Sequence, residues 1–382
     1  MDFNFEQRYE RHSGQVPIEG AEPGKVLKAR IWNFIEPIAI YAAILIVVWV
    51  SMLDTSKIWM LVTLGGMLLW ILIFSPMVHF MYEKDVFLPP EQRNLWFYFF
   101  ECRGMGSPKK YFFGNIERPV TKSRKALKAK KKAGEEIASS KTPLWKRKKK
   151  TILILLILFA IQFSFAIVGY WPEYMDILDD AGLPATAAVG IPVGIGLISL
   201  VLLALFAGFS LLIRFDTLKR AAKQLIIMIS IGIPLILVFC VIFIYNPELP
   251  YFPQPQGSET VLDKFGEWEF FRYIAQWTGY VWWGYVQQLL FLSYFSIHFT
   301  RAFDIRTKRG QLLAALCSSI FFGLIHLPTF WLSFFTWVAG FMWALFFMKS
   351  KNLFVMGVCH GAMGTLLNQL TPIKFSVGPT SI

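Results

Sequence analysis

Long apolar runs alternate with short charged islands along this chain. A helix of about 20 apolar residues crosses the hydrocarbon core of a bilayer. On that measure nine segments qualify: residues 34–53, 58–82, 151–171, 185–213, 225–245, 273–299, 311–327, 329–348 and 353–371. The seventh is short, and Pro328 behind it marks a tight re-entry into the eighth. The pattern predicts an all-α integral membrane protein with about nine transmembrane helices. In chain order it predicts a cytoplasmic tail over 1–33, two helices within 34–82 and a basic cytoplasmic loop over 83–150. Three helices within 151–245 follow, then an external loop over 246–270, a membrane domain over 271–371 and a tail over 372–382.

Composition agrees with this reading. Hydrophobic residue types make up 55% of the 382 residues and charged types only 16%, too little charge for a water-soluble surface. The charge also alternates from loop to loop. Basic loops carry Lys25, Lys28 and Arg30, then 83–150, then Arg214, Lys219, Arg220 and Lys223, then Arg301, Arg306, Lys308 and Arg309, then Lys349 and Lys351. The loops between them are acidic or nearly neutral, as at Glu173, Asp176, Asp179 and Asp180. The positive-inside rule then puts the N-terminus in the cytoplasm and the C-terminus outside. The expected location is a plasma membrane, the inner membrane of a bacterium.

The net charge is +13, and residues 83–150 hold 19 of the 38 Lys and Arg against seven Asp and Glu. Membrane topology accounts for that excess, so no nucleic-acid partner is expected. The aromatic run Leu95–Phe100 and the basic runs Lys122–Lys132 and Lys146–Lys150 suit a segment beside anionic lipid headgroups. A solvated loop that only fixes topology is the alternative. The spacing of Cys102, Cys240, Cys317 and Cys359 fits neither a zinc site nor a disulfide framework. The first 30 residues have no apolar core of a signal peptide, so no cleaved leader is expected.

Polar groups inside membrane helices are costly and therefore informative. Gly190 with Gly194, and Gly357 with Gly361, are small-residue pairs that let helices approach closely. His79 and His298 fall near the predicted cytoplasmic ends of their spans, where water reaches them, and read as structural. The exceptions cluster late in the chain: Gln287 and Gln288 in the sixth segment, His326 in the seventh, His360 in the ninth and Asn368 two turns on. Each prefers a polar partner to lipid, so convergence on one cavity is the cheaper arrangement.

These residues resemble a known pattern. SSIFFGLIHLP at 318–328 is similar to the Phe-x-x-x-His motif of the type II CAAX protease-like family, also called CPBP or Abi, with Phe322 and His326 in the motif positions. WVAGFMWALFFMKSKNLFVMGVCHG at 337–361 resembles the next block, with Gly340, Leu353 and His360 in place. The family's first motif, Glu-Glu-x-x-x-Arg, corresponds to Gln287, Gln288 and Leu292. The resemblance covers about residues 270–371 and implies that the last four helices form a CAAX-protease-like core.

It also implies an intramembrane endopeptidase acting on a membrane-protein or lipopeptide substrate, without cofactor or metal. In the family the first-motif glutamate and the Phe-x-x-x-His histidine are thought to activate a water, while a later histidine and a polar residue four positions on steady an oxyanion. Carried over, these positions are Gln287 or Gln288, His326, His360 and Gly364. A glutamine amide is no general base near neutral pH, although it can orient a water. Glu267 and Glu269 lie 20 and 18 residues before Gln287, about 27–30 Å along a continuous helix. The second Glu and the Arg of the parent motif, four apart, form an ion pair on a helix; Gln288 and Leu292 replace both, so no buried charge is stranded. Two histidines and amides fall short of a metal's donor set. Three readings stay open: a histidine-based peptidase, a non-catalytic relative that binds a peptide, lipid or partner in the same cavity, and a transporter or assembly factor that shares only the helices.

Overall fold

The computed structural model describes residues 14–50, 63, 65–105, 117–119, 139–141, 149–150, 153, 157, 213–214, 217–251 and 260–373. Apart from Leu153, Ile157 and Ile213, the predicted spans 151–171 and 185–213, with Gly190 and Gly194, lie outside the described residues, as does the basic run Lys122–Lys132. Two compact units divide the chain: residues 1–105 together with 216–382, and residues 106–215. In the second, a short antiparallel pair is described, β1 (Glu117–Pro119) against β2 (Ser139–Lys141), with Glu117 opposite Lys141.

The first unit is helical. Helix α1 spans Pro23–Val50 and starts on a proline, whose missing N–H costs nothing at a first helical position. Helix α2 covers Gly65–Phe87 and contains a π-helical turn at Trp70–Phe74. Then come α3 (Leu218–Tyr245), α4 (Val261–Gly266) and α5 (Phe270–Leu290). A π-helical turn, Phe291–Ser296, carries α5 directly into α6 (Ile297–Ala302). Helices α7 (Lys308–Leu324), α8 (Phe330–Ser350) and α9 (Leu353–Leu370) complete the unit.

Among the described residues, five helices are long and apolar enough to cross a membrane: Pro23–Val47, Gly65–Phe87, Leu218–Tyr245, Phe330–Ser350 and Leu353–Leu370. They correspond to the first, second, fifth, eighth and ninth predicted segments. The sixth and seventh segments are helices too, but α5 is rich in polar residues and α7 has only 17 residues. Side-chain placement is that of a membrane protein: Ile31, Ile35, Ile226, Val238 and Val241 are exposed while Asn33, Glu36, His79 and Gln288 are buried. Apolar groups lose nothing by facing lipid, whereas polar groups there have no water to bond.

Helix α5 packs on α9, α7 on α8, and α3 against both α8 and α9. Helix α1 packs on α6. The last four predicted spans are therefore joined by α1 and α3 in one unit. The start of the predicted basic loop also belongs to that unit. Tyr98, Cys102 and Arg103 are buried, and Arg103 Nη1 donates to the Leu72 carbonyl at 3.0 Å. Of the aromatic run, Trp96 points outward and stacks on Phe100, while Tyr98 turns inward to Arg301.

Candidate functional site: a histidine cavity between α3, α5, α8 and α9

Helix α9 begins where Asn352 caps it: the side-chain oxygen accepts from the Val355 N–H at 3.2 Å. Behind that cap, Gly357 and Gly361 lie against α5. A Cβ on Gly357 would stand 2.9 Å from Tyr285 Cα, and one on Gly361 would stand 2.8 Å from Val281 Cα. Gly284 of α5 answers them, since its own Cβ would meet the Gly357 carbonyl oxygen at 2.9 Å. The helices touch backbone to backbone, as the small-residue pair predicts.

That contact brings the polar side chains together. The Gln288 amide nitrogen lies 2.8 Å from His360 Nδ1, with both residues buried. His360 leans toward the start of its helix, as helical side chains do, and its ring stacks on Trp343 at 4.8 Å and 16°. Phe322 of α7 stands edge-on to both histidines, with ring centroids 5.6 Å from His326 and 5.6 Å from His360. Gly340 of α8 makes room for it: a Cβ there would lie 3.0 Å from the Phe322 ring.

His326 and His360 line one cavity of about 90 Å³. The other walls are almost wholly apolar, with Met228, Ile231 and Leu235 from α3, Ala339 and Met342 from α8, and Met363 from α9. Among the described residues no carboxylate lines it.

Of the sequence-predicted residues, His326 and His360 line the cavity, and Gln288 reaches it only through its contact with His360. Gln287 is buried one position away and does not line the cavity; its side-chain oxygen has no hydrogen-bond partner among the described residues. Successive helical residues are about 100° apart, so only one of the pair faces α9. Gly364 lines the cavity, but a Cβ there would sit 2.5 Å from the Tyr280 ring, which occupies the space of a larger side chain. Asn368 is exposed and lines nothing. Leu292 is buried, so the position aligned with the family arginine is apolar and packed.

Sequence reasoning missed Tyr280, Trp343 and the α3 wall. Tyr280, Gly284 and Gln288 follow at i, i+4 and i+8, a spacing that marks one helical face. It also misplaced His79 and His298. They are not reached by water but buried, at 1% and 5% exposure: His79 bonds to Glu36 and Glu83 inside the unit, and His298 packs edge-on against the His79 ring.

Residues 270–366 match a family model described as Rce1-like, type II CAAX prenyl endopeptidase. The helices from α5 into α9 thus form a CAAX-protease-like domain of a membrane protein. No curated protein and no solved structure matches the chain.

Proposed function

We propose that this chain is a non-hydrolysing CAAX-protease-like membrane protein whose cavity receives an apolar segment of a membrane peptide or of a lipid-modified peptide. The observation that carries the reading is the Gln288–His360 contact. An amide stands where the family motif has a carboxylate, and it supplies no base to a bound water. The apolar walls suit a hydrocarbon chain, and the two histidines, one of them held by Gln288, supply the few polar groups that orient a ligand. A second reading, histidine-based peptide hydrolysis, is favoured by one observation: His326 and His360 share the cavity.

One experiment separates the two. Full-length protein in detergent is incubated with a fluorescent prenylated peptide. Binding without cleavage is expected, and Ala339→Phe, which fills the cavity, should weaken it at least tenfold. Cleavage by wild type that His326→Ala abolishes would establish the peptidase reading instead. No binding and no cleavage would sink both. For the 83–150 loop we propose anionic headgroups as the partner, on the strength of its basic runs.

A further inference from the structure

A second polar cluster lies within the first unit, and none of its residues lines the histidine cavity. It joins Glu36 of α1, His79 and Glu83 of α2, and His298 and Arg301 of α6. All five are buried. Glu36 Oε2 is 2.5 Å from His79 Nε2. The two imidazole rings meet edge-on with centroids 4.5 Å apart. One carboxylate oxygen of Glu36 and one ring nitrogen from each histidine all fall within 4.8 Å of one another.

We propose that Glu36, His79 and His298 bind one divalent transition-metal ion of the zinc class. Two imidazoles and one carboxylate are a donor set suited to zinc and to the later first-row dications. The sequence reading expected no metal because it weighed only the motif histidines and amides.

Three features beyond proximity support the site. The first is the outer partner of His79. Its other ring nitrogen, Nδ1, lies 2.7 Å from Glu83 Oε1. Metal-bound histidines commonly donate their second N–H to such a carboxylate, which fixes the tautomer and leaves the first nitrogen free to ligate. Glu83 is itself braced by the Asn33 amide at 2.5 Å and by Arg301 at 3.4 Å. The second is His298 Nδ1, a buried nitrogen with no hydrogen-bond partner among the described residues. A closed hydrogen-bonded knot gives no reason for that nitrogen; a ligand site does. The third is charge. Arg301 offsets Glu83, whereas Glu36 meets only neutral donors besides the imidazoles, Tyr294 Oη at 2.9 Å and Trp70 Nε1 at 3.1 Å. A dication takes the place of the proton with which His79 otherwise bridges the two carboxylates, Glu36 and Glu83.

The geometry asks for a small adjustment. An ion about 2.0–2.1 Å from each donor needs Glu36 Oε2 and His79 Nε2 to part from 2.5 Å to roughly 3.3 Å. The three ligands come from three helices, so the ion ties α1, α2 and α6 together and leaves a position for water.

The test uses full-length protein in detergent, stripped with a chelator and titrated with zinc alone, then with cobalt(II) alone. Wild type should bind about one zinc per chain and give visible d–d absorption with cobalt. His298→Ala and Glu36→Gln should each weaken zinc binding at least tenfold. Glu83→Gln, which touches only the outer partner, should weaken it about 10–100-fold. His326→Ala combined with His360→Ala should retain both the stoichiometry and the cobalt spectrum. A wild type with no stoichiometric zinc and no cobalt bands overturns the proposal. So does loss of the bands in the His326/His360 double variant, which would move the metal to the other cavity. If cluster variants fail to fold, the wild-type and double-variant spectra still decide.

Discussion

Gln288 and Gln287 are chemically the same residue, one position apart, with different surroundings. The Gln288 amide nitrogen meets His360 at 2.8 Å, while the side-chain oxygens of both glutamines have no partner among the described residues. Removing a partner from a buried polar group costs about 1–3 kcal/mol. Gln288→Leu should therefore lower stability by about that amount, and Gln287→Leu should be near neutral, both read by thermal unfolding in detergent. Equal losses would contradict the pairing. Glu83 predicts a larger effect. It accepts from His79, Asn33 and Arg301, and Arg301 also reaches Tyr98 and the Gly14 carbonyl. Glu83→Ala leaves a buried guanidinium without its counter-ion, a loss of about 3–5 kcal/mol. A mild effect in the same unfolding assay would mean that the backbone carbonyl and the phenol satisfy Arg301. The sequence showed the charges of Glu36 and Glu83 in or beside apolar helices, but not that one helix's carboxylate faces another's imidazole.

At the scale of elements, the α5–α9 contact holds the histidine cavity together. Gly284, Gly357 and Gly361 permit it, and the alternatives are blocked by backbone rather than by movable side chains. Gly357→Val should push Tyr285 and its helix outward. The expected cost is about 1–3 kcal/mol, with a matching loss of peptide binding because His360 moves from Gln288. Gly279→Ala, on α5 with nothing within 4 Å of its Cβ, is the control and should be silent. The Gly357–Gly361 spacing announced a close helix contact in advance. Its partner could not be read, because Gly284 has no small residue four positions away: Tyr280 and Gln288 stand there instead. The π-helical turn after Gln288 was equally invisible. Before it, α5 ends with the Phe291 N–H shared between the Gln287 and Gln288 carbonyls, and the wider turn then runs over Phe291–Ser296.

For the whole molecule, the loop charges predict that residues near Ser258 lie outside and that 83–150 lies in the cytoplasm. A reporter fused at Ser258 should be active on the external side; cytoplasmic activity would reverse the topology. Replacing the lysines of Lys122–Lys132 with glutamine should reduce binding to anionic vesicles, with little change for neutral ones. Membrane residence, the helical segments and the motif histidines follow from the sequence alone. Hydrophobic runs and charge alternation are one-dimensional signals, and the lipid solvent reads them segment by segment. Tertiary structure decided which side chains meet. Gln288 and His360 are 72 residues apart, and Glu36 and Tyr294 are 258 apart. Such pairs depend on how each helix is rotated and which neighbour it packs against. That is why α3 walls the cavity, why α1 joins the polar cluster, and why two histidines that read as wet lie buried between carboxylates.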